Sequence, residues 1–298
     1  VGSREELQKG RMKDGSPVPA DLDLHKPYVD HVVIEKDGKT FTRTPEVIDV
    51  WFDSGAMPYA QWHYPFENKE IFERQYPADF ICEGVDQTRG WFYSLMSIST
   101  FLFGKAPYKN VVVNELVLDG QGRKMSKSLG NVVVPQKVIA DAGADILRLW
   151  TASVDYSDDQ RLGPEILKFT TDNYRKLRNT IRWMLGTLAH FDDKDRVDPA
   201  SAPELERLML HRLAEVDAIV QQAYADFDYK KVVATVTPFM MGDLSAFYFD
   251  IRKDALYCEA PSSALRRAAL TTVDTICDAV LKWLAPILVF TTDEAWAM

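Results

Sequence analysis

A chain of 298 residues is long enough for one large domain or two ordinary ones, and 46% hydrophobic with 27% charged residues is the composition of a globular protein with a sizeable core. A net charge of −9 excludes a surface that binds polyanions everywhere, so any contact with nucleic acid has to come from local basic patches. Cys82, Cys258 and Cys277 are odd in number and far apart, which excludes a disulfide framework and a metal-ligand spacing and points to a reducing, cytoplasmic setting.

Residues 1–45 are polar and turn-rich, and "HVVIEKDGKTFTRTP" predicts a hairpin with Asp37-Gly38 between alternating strands. From 46 to about 150, the buried-strand candidates "DFICEG" and "NVVVNELVL" alternate with helical stretches such as "TRGWFYSLMSISTFLF" and "PQKVIADAGADILRLW". That alternation predicts an α/β sheet with a mostly parallel core. A boundary is expected between 150 and 165, at "SVDYSDDQRLGP".

Beyond Gly163-Pro164 the sequence is helical throughout and predicts an antiparallel bundle. The first helix runs from Glu165 to about His190, with Tyr174, Leu177, Ile181, Met184 and Leu188 on one face. The second opens on a capping-box pattern, Ser201 to Glu204, and carries Leu205, Leu208, Val216, Ile219 and Ala223. The third spans about Asp228 to Tyr257 with a bend or interruption at Pro238, and the fourth runs from Ser262 to Leu284. No signal peptide opens the chain, and no apolar run is read as membrane-spanning: "LAPILVF" at 284–290 is broken by Pro286. There is no initiator Met, and the chain stops as a further helix begins at Thr292-Asp293-Glu294, so the sequence is read as a fragment of something longer.

Three stretches carry chemistry. "DGQGRKMSKSLGN" at 119–131 sets Arg123, Lys124 and Lys127 among glycines and serines. Glycines let a backbone approach a phosphate and the cations answer its charge, so the run reads as a mobile basic loop facing something anionic, or as a solvated surface loop. In "DFICEGVDQTRGWFYSL" a strand is expected to end near Cys82 and a helix to begin near Thr88, with Glu83, Asp86 and Gln87 in the turn. Ligands bind beyond strand ends in open α/β sheets, where such groups could hold an ammonium or ribose hydroxyls, although Asp86 could equally serve as a helix cap. Lys168, Arg175, Arg178 and Arg182 share one face of the first bundle helix, beside its apolar face, as a polyanion contact or a solvated stripe.

"KMSKS" at 124–128, followed by "LGNVV" and Pro135, resembles the second signature of the class I aminoacyl-tRNA synthetases. "EGVDQTRGWF" at 83–92 and "DVWFDSGAMP" at 49–58 resemble the isoleucyl branch, and "GADILRLW" with "RLGPEILK" and "YRKLRNTIRWMLG" is similar to the stem-contact region and the start of the helical anticodon-binding domain. The resemblance implies the C-terminal half of a Rossmann-like catalytic domain at 46–160, a truncated helical anticodon-binding domain at 161–298, and at 1–45 the tail of an inserted domain. It also implies activation of isoleucine by ATP to isoleucyl-adenylate and transfer to tRNA(Ile). Lys124 and Lys127 would stabilise the triphosphate as pyrophosphate leaves, with Lys127 also binding ATP. Glu83, Gly84, Asp86 and Gln87 would contact the aminoacyl-adenylate and Trp51 and Trp91 would wall the side-chain pocket, where indoles in a bottom-up reading are ordinary core. Lys168, Arg175, Arg178 and Arg182 would meet tRNA phosphates. ATP with Mg²⁺ is implied as substrate, with no bound cofactor in this stretch and a zinc region elsewhere in many relatives; a monomer without membrane contact is expected. Rival readings are a valine-specific relative and a non-catalytic tRNA-binding module. The chain departs from the family in having no His-x-Gly-His among His25, His31, His63, His190 and His211, and in carrying Asn114-Glu115 where many bacterial relatives have His-Gly.

Overall fold

The structure is a computed structural model that describes residues 1–298. The chain forms two compact units that interleave in sequence, one of residues 1–79 and 86–109 and one of residues 80–85 and 110–298.

The first unit opens with a short helix, α1 (Arg4–Leu7), and a three-stranded antiparallel sheet of β1 (Arg11–Met12), β2 (Val32–Lys36) and β3 (Lys39–Thr42). The β2–β3 hairpin turns at Asp37 and Gly38, both at positive φ (51° and 71°), as the Asp-Gly pair predicts. Helices α2 (Val50–Ala60), α3 (Lys69–Gln75) and α4 (Trp91–Phe103) follow. Asp49 caps α2 by accepting the Trp51 N–H at 2.7 Å. Gly55 is where α2 meets α4 most closely: a Cβ there would lie 2.8 Å from Ile98 Cδ1 and 2.9 Å from the Ser94 carbonyl carbon. Tyr64, Phe72, Tyr76 and Phe103 pack as an aromatic cluster at the far end of α4.

In the second unit the long predicted strand at 110–118 is two. β4 (Ala78–Gly84) pairs with β5 (Tyr108–Asn114), and β6 (Val117–Asp119) pairs in parallel with β7 (Gln160–Leu162). The break has a hydrogen-bond cause: Glu115 N–H donates to Tyr156 O at 2.9 Å and Gln160 N–H to Leu116 O at 2.8 Å, so the chain exchanges one partner segment for another. β7 falls inside the stretch read as a boundary. The helical stretch at 135–150 also splits, into α5 (Pro135–Ala142) and α6 (Ala144–Ser153), at Gly143 with φ 93°.

The bundle consists of α7 (Pro164–Leu188), α8 (Glu204–Ala225), α9 (Tyr229–Pro238), a π-helical stretch (Phe239–Tyr248), α10 (Phe249–Cys258), α11 (Ala264–Leu284) and α12 (Val289–Trp296). Leu177, Ile181 and Met184 of α7 are buried, as the periodicity predicts. Two expectations for α8 change. Ser201 is not its cap, because the hydroxyl donates to Asp198 O within a preceding turn and Pro203 stands before the helix. Its buried face is Met209, Leu213, Val216, Val220 and Ala223, whereas Leu208 and Ile219 are 52% and 38% exposed. The face is displaced because Glu206, an unpromising core residue, occupies a fully buried position with Arg252 Nε and Nη2 donating to its carboxylate at 2.6 and 2.9 Å. Pro238 cannot donate a backbone N–H, and the π-helical turns begin immediately after it. The run Tyr229–Cys258 is, against expectation, long and apolar enough to cross a membrane by length and composition. Its Val232, Val236, Phe239, Met240, Leu244 and Tyr248 are all buried in the bundle core, which accounts for that apolarity. Burial pushes the Cys277 thiol up to about 12, so it is an inert core group.

Candidate functional site

The lysine loop begins where β6 ends. Gly122, at φ 79°, closes a tight turn by donating its N–H to Asp119 O at 2.9 Å. The Asp119 carboxylate is buried at 5% exposure and receives four kinds of donor: Asn131 Nδ2 (2.9 Å), Arg123 N–H (2.8 Å), Arg123 Nε (2.9 Å) and Gln121 N–H (3.0 Å). These bonds, with Asn131 first and the Arg123 backbone second, hold its carboxyl well below the usual carboxylate range. Asn131 in turn accepts the Ser126 N–H at 2.9 Å and donates to Lys124 O at 3.2 Å. One Asp–Asn pair therefore ties down both ends of the run.

This arrangement divides the three cations. Arg123 is committed to Asp119, with Nη2 also 2.9 Å from its carboxylate, so its expected role toward an external anion is corrected to a structural one. Lys124 and Lys127 are exposed and join no ion pair. Asp119 and Asn131 are site residues that motif reading passed over, although both lie in the quoted stretch; their signal is an Asx residue at each end of a glycine-rich run.

In the first unit, Gln87, Gly90, Trp51 and Trp91 form one constellation. Asp86 and Gln87 sit in a 3₁₀ turn over Val85–Arg89, and α4 starts at Trp91 rather than near Thr88. Gln87 Oε1 accepts the Trp91 N–H at 2.9 Å, so the helix-capping duty considered for Asp86 belongs to Gln87. Asp86 is exposed and accepts only Gln87 Nε2, at 3.2 Å. Trp91 Nε1 donates to Ser54 O at 3.0 Å, which fixes one indole. A Cβ on Gly90 would lie 2.7 Å from Gln87 Oε1 and 3.1 Å from Trp51 Cη2, so only glycine lets the second indole lie there. Trp51 is 43% exposed, which is not the burial of an ordinary core tryptophan. Glu83 and Gly84 are the last residues of β4, not turn residues, and belong with the second unit.

The basic face of α7 is also divided. Arg178 Nη2 donates to Glu294 of α12 at 2.9 Å, which raises the Arg178 pKa. Arg175 reaches Asp172 at 3.3 Å, while Lys168 and Arg182 are exposed and unpaired. α12 is held from a second side, since buried Asp145 of α6 accepts Thr291 N–H and Oγ1 at 2.8 and 2.6 Å and Arg148 donates to Pro286 O and Ile287 O. Asp145 and Arg148 come from the "GADILRLW" stretch, so that motif does structural work between α6 and α12.

The family model described as tRNA synthetases class I (I, L, M and V) matches residues 2–163, just over half of the chain. The chain belongs to this family. A second model, the anticodon-binding domain of tRNA ligase, matches residues 206–298 of this class I synthetase chain. The chain is 57% identical over 262 residues to the isoleucine–tRNA ligase of Bradyrhizobium diazoefficiens, covering 86% of this chain and 26% of that protein. With the isoleucine–tRNA ligase of Rhodopseudomonas palustris the identity is 55% over 274 residues, covering 89% and 27%. The chain thus spans about a quarter of the length of these curated relatives. Among solved structures, a LeuRS–tRNA–LeuAMS ternary complex from Agrobacterium radiobacter matches with a TM-score of 0.68 at 16% identity, over 98% of this chain and 38% of that one. Mycobacterium tuberculosis methionyl-tRNA synthetase with methionyl-adenylate matches with a TM-score of 0.66 at 20% identity, over 86% and 51%. At such identities the likeness establishes the fold: a class I catalytic segment with Rossmann-like strands followed by a helical anticodon-binding domain.

Proposed function

We propose that the chain is the C-terminal part of the catalytic domain and most of the anticodon-binding bundle of an isoleucyl-tRNA synthetase. Residues 1–45 would be the returning tail of an inserted domain, 46–160 the catalytic part and 161–298 the bundle. The whole protein would convert isoleucine and ATP·Mg²⁺ to isoleucyl-adenylate and pyrophosphate, then charge tRNA(Ile), as a cytoplasmic monomer. The observation that carries this reading is the lysine loop: two exposed, unpaired ammonium groups, Lys124 and Lys127, on a run tied at both ends by Asp119 and Asn131. The isoleucine–tRNA ligases at 57% and 55% identity support the choice of amino acid.

The chemistry requires no protein nucleophile. The carboxylate of the amino acid attacks the α-phosphorus, and negative charge grows on the departing pyrophosphate. Cations aimed there lower the barrier more than they tighten ground-state binding. Because Arg123 neutralises Asp119, the loop's own carboxylate does not compete for the two lysines. Glu83, Gly84, Asp86 and Gln87 would contact the adenylate, and Trp51 and Trp91 would enclose the aliphatic side chain, for which indole faces offer contact without unmet polar groups.

Isoleucine-dependent pyrophosphate exchange into ATP by the whole protein tests the proposal. Preference for isoleucine over valine by roughly 100-fold is expected for one methylene in an apolar pocket; equal or greater activity with valine would assign the valine-specific reading, and no exchange with either would leave a tRNA-binding module. The 298-residue chain alone, which has no His-x-Gly-His, is expected to fold and to show no exchange.

A further inference from the structure

Two segments far apart in sequence are packed on one another: Gly120 to Gly122, where the lysine loop leaves β6, and Arg161 to Gly163, where β7 passes into α7. Strand register sets this up, because Leu118 of β6 has Arg161 opposite it on one side and Lys124 on the other. Directly opposed residues of neighbouring strands share a face of the sheet, so Arg161 and Lys124 flank Leu118. Beside them the two backbones meet. A Cβ on Gly163 would lie 3.1 Å from Gly120 Cα and 3.5 Å from Gly120 N. Gly163 has φ −163°, which any residue adopts, so glycine is needed there for room.

The Arg161 side chain completes the contact. A Cβ on Gly122 would lie 3.3 Å from each of Arg161 Cζ, Nε and Nη2. A point that far, and equally far, from three bonded atoms of a planar group is above the plane and not at its edge. The guanidinium therefore turns its flat face to Gly122, the residue at φ 79° that closes the Asp119–Arg123 turn. Arg161 forms no side-chain ion pair or hydrogen bond, so the face of the plane is what joins it to the loop. A guanidinium face is weakly hydrated and packs flat, as an ammonium cannot. The strand beneath is fixed. Gln160 and Leu162 are buried on either side, Gln160 N–H donates to Leu116 O at 2.8 Å, and Trp150 Nε1 donates to Arg161 O at 3.2 Å.

We infer that Arg161 is a positioning residue for the lysine loop: seated at the β7–α7 junction, its guanidinium braces the Gly122 turn and sets where Lys124 and Lys127 stand as pyrophosphate departs. The inference rests on the proposed function for the reaction, whereas the brace is a property of the fold. Asp119 and Asn131 hold the loop from within, and Arg161 holds it from a later strand. The seat is also where the catalytic family match ends, at residue 163, and where the first bundle helix begins, so one junction sets both the loop and α7. A misplacement of about 1 Å is enough to cost a charged group much of its effect on a transition state.

The test uses the whole protein with Arg161→Ala, Arg161→Lys, Lys124→Ala and the Arg161→Ala/Lys124→Ala pair. Arg161→Ala is expected to slow isoleucine-dependent pyrophosphate exchange at saturating substrate by roughly 10- to 100-fold, with isoleucine affinity unchanged. Arg161→Lys keeps the charge, loses the plane and is expected to fall within about threefold of Arg161→Ala. Once Lys124 is alanine, Arg161→Ala is expected to cost less than about a further threefold, because groups that act through one another do not give multiplying losses. Tryptic cleavage after Lys124 and Lys127, read by mass, is expected to quicken severalfold in both Arg161 variants while the urea midpoint stays in place. Full activity of Arg161→Lys, or losses that multiply with Lys124→Ala, would make Arg161 a direct phosphate contact and overturn the brace. Unchanged exchange in Arg161→Ala would overturn it as well, whatever happens to tRNA binding; if Arg161→Ala fails to fold, Arg161→Lys decides alone. Absence of exchange by the unsubstituted protein sinks the proposed function, and the tryptic comparison still decides the brace.

Discussion

The lysine loop and the basic face of α7 contain similar numbers of cations, yet the fold uses them differently. In the loop a single buried carboxylate, Asp119, is saturated by Arg123, Asn131 and backbone N–H groups, and Lys124 and Lys127 remain uncommitted. On α7 individual carboxylates occupy individual arginines: Asp172, one turn earlier on the same helix, takes Arg175, and Glu294 takes Arg178 across to α12. Arg252 is the extreme case, its guanidinium paired with fully buried Glu206. A cation is available to a ligand only where the fold has not already supplied its counter-ion.

The sharpest break of this contrast is at the committed end. Glu206→Gln leaves the Arg252 charge without its partner and is expected to lower stability of the chain by about 3–5 kcal/mol, read from the midpoint of urea unfolding. A loss below about 1 kcal/mol would mean that water or a neighbour replaces the pair. At the uncommitted end, Lys127→Ala in the whole protein is expected to slow pyrophosphate exchange by roughly 100- to 1,000-fold with isoleucine affinity little changed. Matching losses in rate and affinity would move Lys127 to uniform ground-state binding.

Asp119 links the two ends. Asp119→Asn is expected to slow exchange less than Lys127→Ala while speeding tryptic cleavage after Lys124 and Lys127. Because the folded carboxyl lies below its unfolded value of 3.8, its stabilising contribution is present above that pH and is lost as the pH falls further. Hydrogen exchange at the Gln121 and Arg123 amides is therefore expected to lose protection in acid below about pH 4, ahead of the bundle amides. Protection that persists unchanged would show that the turn, not the carboxylate, orders the loop.

The smallest effects separate members of the α7 face. Arg182→Gln is expected to reduce the salt slope of tRNA binding by about one unit or less if it meets a phosphate. Arg178→Gln is expected to cost only about 0.2–1 kcal/mol, since its pair with Glu294 is largely exposed. A salt-slope change from Arg178→Gln equal to that from Arg182→Gln would show that RNA displaces Glu294.

Much of this was legible in the linear chain. The Asp37-Gly38 turn, the α7 core positions and the interruption at Pro238 follow from local rules, because each depends on residues within a few positions of one another. The motif strings likewise carried the family. Hydrophobic period also located α8, but it misplaced the buried face, since a buried Glu206 makes sense only once Arg252, far away in sequence, is beside it. The π-helical run has no pattern of its own in the sequence.

By itself, then, the sequence determined the family motifs, the helical content and the position of the lysine loop, all of which are encoded by residues near one another in the chain. Arg123 and Arg175 have their carboxylates within a helical turn in sequence, but for the other cations only the tertiary structure decided which are free. Ion pairing is a matter of a few ångströms between side chains, and the partners Glu294 for Arg178 and Glu206 for Arg252 are brought there by packing between helices, a distance that no local pattern records.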